Sequence, residues 1–146
     1  MAFRILSRRN HSIKELEEKL CHKGAEPRLI EEVILFLQEY NLLDDEAYAR
    51  GYIKQRLLQK PMGKKRLALE LKQKGIAEDI IQEQMSKIDE QQEYEAALKL
   101  ASKKMSSGDE LDRMKLSAYL WRRGFTSEII SGVCKSLEKY PKTDYS

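Results

Sequence analysis

The sequence predicts an all-α protein built from three tandem three-helix repeats, and three observations predict it. The chain has 19 leucines against two valines and two threonines, with only 7 Gly and 3 Pro in 146 residues. Leucine favours helices, whereas β-branched residues favour strands. A Lys/Arg-Gly step recurs three times, at intervals of 51 and 49 residues, and leucines stand eight and four positions before each glycine. That leucine spacing places both side chains on one face of a helix.

The middle helix of each repeat has the clearest predicted limits. A residue suited to an N-cap stands twelve positions before each glycine, and these residues are Ser12, Gly63 and Asp112. The glycines that end the helices are Gly24, Gly75 and Gly124. Glycine is favoured there because the residue after a helix often adopts a left-handed conformation. Each middle helix is therefore expected to run for about eleven residues.

Two further helices complete each repeat. The third helix carries apolar pairs five and six positions after the glycine: Leu29-Ile30, Ile80-Ile81 and Ile129-Ile130. The leading helices are predicted at Ala2–Arg9, Ala47–Gln59 and Tyr94–Ser106. The predicted repeats are residues 1–43, 44–90 and 91–140, followed by a flexible tail at 141–146. Because three short helices bury little surface alone, nine helices should stack as a short, curved solenoid.

Several functional classes are not expected. The longest apolar run, Val33–Leu37, is far shorter than a membrane span, and no signal peptide is indicated. Cys21 and Cys134 lie in no metal or disulfide pattern, so reduced thiols and a cytoplasmic location are expected. No catalytic motif is present, so no enzyme, cofactor or metal is predicted. The carboxylates of Asp44-Asp45-Glu46 are interpreted as a helix cap.

Charge is concentrated in the second repeat. Residues Arg50–Lys74 contain nine cations and the single acid Glu70, a net charge of +8 that leaves −5 for the rest of the chain. This segregation favours an anionic partner. The alternative is a solvated pair of helix faces that Glu70 and acids of other repeats neutralise.

The candidate contact residues come from this segment and from the third repeat. Lys65 and Lys72 are predicted to point away from the buried face of their helix. Trp121 has two interpretations, which are packing in the core and contact with a partner, either by stacking on an unpaired base or by anchoring a protein interface. The candidate partner-binding or DNA-binding residues are Arg50, Lys54, Lys60, Lys64, Lys65, Arg66, Lys72, Lys74, Trp121, Arg122 and Arg123.

Five segments of the sequence match the pattern of a known family, and they are Arg8–Ser12, Leu42–Ala49, Pro61–Lys64, Glu70–Gly75 and Leu120–Phe125. Through these segments, residues 4–138 resemble the RecX regulatory proteins. It implies tandem three-helix repeats without catalytic residues, in a modulator of the RecA recombinase that serves recombination, DNA repair and the SOS response. Such a protein binds the groove of the RecA filament on single-stranded DNA, and usually inhibits ATP hydrolysis, strand exchange and filament extension. The implied partners are RecA and, more weakly, single-stranded DNA of any sequence, with no membrane and a monomeric state.

Two alternatives stay open at the level of the sequence. Paired helices joined by a glycine turn are also typical of helix-turn-helix proteins that bind a specific duplex site. A helical adaptor for an acidic protein would use the same cations without nucleic acid. Whether the basic segment meets DNA phosphates or RecA is likewise left open.

Overall fold

Eight α-helices lie within residues 10–105 and 112–139, Ala2 and Arg4 are also helical, and no strand occurs among the described residues. The computed structural model describes residues 1, 2, 4, 10–105 and 112–139. The helices are α1 (Ile13–His22), α2 (Pro27–Glu39), α3 (Asp45–Gln59), α4 (Lys64–Gln73), α5 (Glu78–Ser86), α6 (Glu90–Met105), α7 (Arg113–Arg122) and α8 (Ser127–Lys139). The predicted all-helical class is confirmed. Most of the predicted helix Ala2–Arg9, the end of the predicted helix at Ser106 and the predicted tail at 141–146 lie outside the described residues.

The three middle helices, α1, α4 and α7, end in the same way. Their glycines have φ angles of +87°, +84° and +90°. The residue after each glycine donates its N–H to the carbonyl of the second repeat leucine, at 3.1–3.2 Å: Ala25 to Leu20, Ile76 to Leu71 and Phe125 to Leu120. This hydrogen bond is the signature of a Schellman C-cap. The predicted role of the glycine steps is therefore confirmed.

The repeat leucines form the core. All six are at most 3% exposed: Leu16, Leu20, Leu67, Leu71, Leu116 and Leu120. In the first repeat they pack with Ile30, Ile34 and Leu37 of α2, and in the third with residues of α6 and α8 around Phe125. The leucine spacing thus predicted the buried face correctly.

The leading helices of the second and third repeats begin earlier than predicted, because acidic caps start them. The carboxylate of Asp44 accepts hydrogen bonds from the backbone N–H groups of Glu46 and Ala47 at 3.0 and 3.2 Å, so α3 begins at Asp45. This confirms the capping interpretation of the Asp44–Glu46 cluster. Asp89 and Gln92 form a reciprocal capping pair that starts α6 at Glu90, four residues before Tyr94.

By internal packing the chain divides into two compact units. Unit 1 comprises Met1–Ile53 and Leu69–Gln84, and unit 2 comprises Lys54–Ala68 and Met85–Ser146. None of the described helices is long and apolar enough to cross a membrane. Both cysteines are free thiols, with Cys21 exposed and Cys134 buried.

Candidate nucleic-acid interface

Unit 1 contains a contact between successive repeats that we call the first junction. Here Ser12, the N-cap of α1, meets Lys74-Gly75 at the end of α4. The Ser12 hydroxyl donates to the Lys74 carbonyl at 2.6 Å and accepts from the backbone N–H of Glu15 at 3.1 Å. Asp45 accepts from the backbone N–H of Ile13 at 2.9 Å. An ion pair of 3.4 Å between Lys74 Nζ and Glu15 Oε2 completes the contact.

The ionised form of Asp45 is electrostatically disfavoured in the first junction. Partial burial raises the pKa of Asp45 above its ordinary value, and the nearby carboxylates of Asp44 and Glu15 raise it further. The hydrogen bond from the Ile13 N–H acts in the opposite direction but does not cancel the effect of burial. The first junction therefore contains a carboxylate that would be more favourable neutral.

Unit 2 contains the equivalent contact, which we call the second junction. Gly63, at the start of α4, meets Arg123-Gly124 at the end of α7, and the Gly63 N–H donates to the Arg123 carbonyl at 2.7 Å. A Cβ on Gly63 would lie 2.1 Å from the Gly124 carbonyl oxygen, so no side chain fits there. Glu93 of α6, which is 6% exposed, accepts from the Lys64 N–H at 2.8 Å, as Asp45 accepts from the Ile13 N–H in the first junction.

Glu93 is not among the residues that the sequence analysis identified. Its signal is nevertheless visible, because Glu93 lies in the first turn of a leading helix, as Asp45 does. Both acids cap the middle helix of the preceding repeat. An acid at the start of a leading helix can thus serve a neighbouring helix as well as its own.

Two arginines hold the second junction through backbone carbonyls. Arg123 is only 9% exposed, and its guanidinium donates to the carbonyls of Lys60 and Pro61, both at 3.4 Å. Arg66 donates to the Arg122 carbonyl at 3.1 Å. The expectation that Arg123 faces a partner is therefore corrected: packing buries this side chain under the Lys60–Gly63 connection, which it holds in place.

Trp121 is exposed in unit 2 beside the cation of Lys65. The indole is 58% exposed, so the interpretation of Trp121 as a core residue is wrong. Lys65 Nζ lies 5.0 Å from the centroid of the Trp121 ring, within the range of a cation–π interaction. We define the Trp121 surface as Lys60, Lys64, Lys65, Arg66, Trp121 and Arg122. Within residues 10–105 and 112–139, Lys60, Lys64, Lys65 and Arg122 form no ion pair with a carboxylate.

The other predicted contact residues have different surroundings. Lys54 is exposed in unit 2. In unit 1, Lys72 is exposed beside the exposed Leu69, as predicted, but Arg50 is paired with Glu46 at 3.3 Å. Lys74 is paired with Glu15 in the first junction. Ion pairs within the chain thus offset the charges of Arg50 and Lys74, and only Glu15, the partner of Lys74, is an acid of another repeat, as the alternative predicted. Glu70 accepts a hydrogen bond from the Tyr52 hydroxyl at 2.5 Å.

A groove between α7 and α8 adjoins the Trp121 surface. Its volume is about 520 Å³, and Trp121, Arg122 and Arg113 line it together with serine hydroxyls. No acidic side chain lines it, although Arg113 is paired with Glu138 at 3.2 Å. In the described part of the chain, no three His, Cys, Asp or Glu side chains are placed to hold a metal ion. The geometry therefore suits binding of an anionic partner.

Comparison with known proteins gives a consistent result. Models of the first, second and third three-helix domains of RecX match residues 1–37, 44–85 and 90–134. The regulatory protein RecX of Clostridium perfringens (strain 13 / Type A) is 38% identical over 142 residues, which cover 93% of this chain and 66% of that relative. The chain thus spans just under two thirds of that relative's length.

Two further matches cover most of both chains. The regulatory protein RecX of Vibrio parahaemolyticus serotype O3:K6 is 37% identical over 134 residues, covering 89% of this chain and 84% of the relative. The crystal structure of RecX from Lactobacillus salivarius matches with a TM-score of 0.83 and 27% identity, covering 94% of this chain and 92% of that one. The predicted arrangement of tandem three-helix repeats is confirmed.

Proposed function

The chain belongs to the RecX family of regulatory proteins, and we propose that it regulates the RecA recombinase by binding the RecA filament on single-stranded DNA. It lies in the helical groove of the filament and suppresses ATP hydrolysis, strand exchange and filament extension. It acts as a monomeric, non-enzymatic protein of the cytoplasm. Within this role, the Trp121 surface contacts the phosphates of the DNA.

The observation that carries the DNA contact is a set of exposed cations beside the second junction. Lys60, Lys65 and Arg122 are exposed and make no ion pair with a carboxylate in the described structure, so their positive charge is available to a partner. Clustered cations release counterions from a nucleic-acid backbone and bind it without reading its sequence. We therefore expect DNA binding that weakens steeply with salt.

Acidic residues at two helix starts disfavour a helix-turn-helix mode. A recognition helix is the second helix of its pair and contacts base edges with residues near its N-terminus. In this chain the helices that follow the glycine turns of the second and third repeats, α5 and α8, carry Glu78, Asp79 and Glu128 in their first turns. We therefore expect no preferred duplex site. The adaptor alternative predicts no DNA binding even at low salt.

The test reverses three exposed cations of the Trp121 surface, in the variant Lys60→Glu/Lys65→Glu/Arg122→Glu. These side chains make no ion pair in the described structure, so the fold should persist. The measurement is the concentration that half-inhibits the single-strand-dependent ATPase of RecA. Because each reversal replaces attraction to phosphate by repulsion, we expect at least a tenfold increase.

A matched control changes net charge equally elsewhere in unit 2. Lys87, Lys99 and Lys135 are exposed and lie outside the Trp121 surface, so Lys87→Glu/Lys99→Glu/Lys135→Glu should shift inhibition much less. Circular dichroism and thermal melting establish that both variants fold. Equal losses in the two variants, or full inhibition by a folded triple reversal, would contradict the proposed contact surface.

A further inference from the structure

The groove between α7 and α8 has the chemistry of a base-binding site. Trp121 and Arg122 line it from α7, and Ser127 and Ser131 line it from α8. We propose that this groove accepts one unpaired base of a single-stranded nucleic acid, which stacks on the Trp121 indole. Arg122 then contacts a flanking phosphate. This inference rests on the proposed DNA contact and adds to it a preference for unpaired strands.

The first repeat contains the same groove with the opposite composition, and so provides an internal control. The groove between α1 and α2 is lined by residues 100 positions earlier, in which Cys21 replaces Trp121, and Glu17, Glu18 and Glu31 replace Ser117, Ala118 and Ser131. No cation lines this equivalent groove. Because the same fold forms around either set, packing requires neither the indole nor the arginines. Their presence in the third repeat points to a ligand.

The exposure of the indole supports stacking in particular. A tryptophan that is 58% exposed leaves apolar surface in water that a flat aromatic ligand would cover. Lys65 Nζ lies 5.0 Å from the ring centroid, so a cation is already placed beside the surface on which a base would stack. Base–aromatic stacking tolerates any base but requires that the base be free of its own stack. The groove therefore selects single strands without selecting a sequence.

The two arginines favour the phosphates that accompany a base. Arg122 has no ion pair in the described structure, whereas Arg113 is paired with Glu138 at 3.2 Å in an exposed contact. The seryl hydroxyls of Ser127 and Ser131 can donate to or accept from base edges of either polarity. Charge complementarity thus favours a nucleic acid over a basic peptide as the occupant.

The test compares two oligonucleotides of equal charge. A fluorescein-labelled twelve-residue oligothymidylate and an abasic strand of the same length carry the same phosphates but differ in bases. We expect the full chain to bind the thymidylate about tenfold more tightly at low salt. Trp121→Ala should abolish that preference without changing affinity for the abasic strand by more than twofold, and Trp121→Phe should retain most of it. Trp121 is the only tryptophan, so thymidylate alone should quench the intrinsic fluorescence.

Other outcomes separate this inference from the proposed function. Equal binding of both strands by the unchanged protein would overturn the base site while leaving the phosphate contact intact. Binding of neither strand would overturn both. If Trp121→Ala leaves the thymidylate preference intact but weakens binding to DNA-free RecA, the occupant is a protein and the base site is overturned. Glu138→Gln, which frees Arg113, should tighten binding of both strands about twofold, because Arg113 then faces phosphate without a competing carboxylate.

Discussion

The two junctions join successive repeats at equivalent positions but use different chemistry. In the first, the Ser12 hydroxyl bonds the Lys74 carbonyl, and Lys74 is paired with Glu15. In the second, Gly63 bonds the Arg123 carbonyl directly through its own N–H. An acid from the next leading helix caps both contacts, Asp45 in one and Glu93 in the other. The architecture therefore fixes the contact geometry but not the groups that make it.

The difference determines where positive charge remains available. A carboxylate partner offsets the charge of Lys74 in the first junction. Beside the second junction, Lys60, Lys65 and Arg122 make no ion pair with a carboxylate in the described structure. One contact can thus be purely structural while its counterpart supports a basic surface. In a repeat protein, comparison of equivalent positions separates residues that the fold needs from residues that a partner needs.

The largest expected effect tests whether the second junction depends on the absence of a side chain. Gly63→Ala would place a Cβ 2.1 Å from the Gly124 carbonyl oxygen, and backbone atoms cannot move away as a flexible side chain can. We expect the free energy of unfolding to fall by about 3 kcal/mol, since overpacking is combined with loss of the Gly63–Arg123 hydrogen bond. Urea denaturation followed by circular dichroism measures this change.

Two other glycines serve as graded controls for that prediction. Gly24 has a positive φ of +87° but open space around it, so Gly24→Ala should cost about 1 kcal/mol from backbone strain alone. Gly51 lies exposed inside α3 with nothing within 4 Å, so Gly51→Ala should stabilise the protein by about 0.5 kcal/mol. A Gly63→Ala cost no larger than that of Gly24→Ala would show that the second junction can accommodate a side chain.

The sequence predicted those features of the repeats that depend on residues close together along the chain. Glycine steps and leucine spacing depend on residues within one helix, so the helix ends and the buried face followed from them. The sequence did not predict which of the adjacent residues Arg122 and Arg123 is buried, since both side chains are the same. Only the packing of the Lys60–Gly63 connection, some 60 residues earlier, buries Arg123 and leaves Arg122 exposed. The exposure of Trp121 has the same origin in tertiary contacts.

The next effect in size tests how much the Glu93 cap contributes to the second junction, where Gly63 offers no capping side chain. Glu93→Ala leaves the backbone N–H of Lys64 without its acceptor in a largely buried site. We expect a loss of about 2 kcal/mol, in the range for a buried donor left unsatisfied. Glu93→Gln keeps an acceptor oxygen and should cost less than about 1 kcal/mol. A negligible cost for Glu93→Ala would mean that water replaces the cap, and the two junctions would then differ more than their geometry indicates.

The smallest effect concerns Asp45, the corresponding acid of the first junction. Because its pKa is raised in the folded protein, the folded state holds the proton more tightly than the unfolded chain does. Stability therefore falls as the pH rises from 3.8, the ordinary value for aspartate, through the raised pKa, and the ionised carboxylate opposes folding at pH 7.

Asp45→Asn isolates this contribution, since the amide keeps an oxygen that accepts from the Ile13 N–H but carries no charge. We expect the variant to be more stable than the unchanged protein at pH 7, by less than about 1 kcal/mol, and the difference to vanish near pH 3, where Asp45 is protonated in both states. Urea denaturation at the two pH values measures this, with Asp44→Asn as the control for removing one negative charge from an equally good N-cap residue.

Lower stability of Asp45→Asn at pH 7 would mean that the ionised acid strengthens the first junction. Both junctions would then depend on an ionised capping carboxylate. They would differ in the groups that their cations contact, which are the Glu15 carboxylate for Lys74 and backbone carbonyls for Arg123.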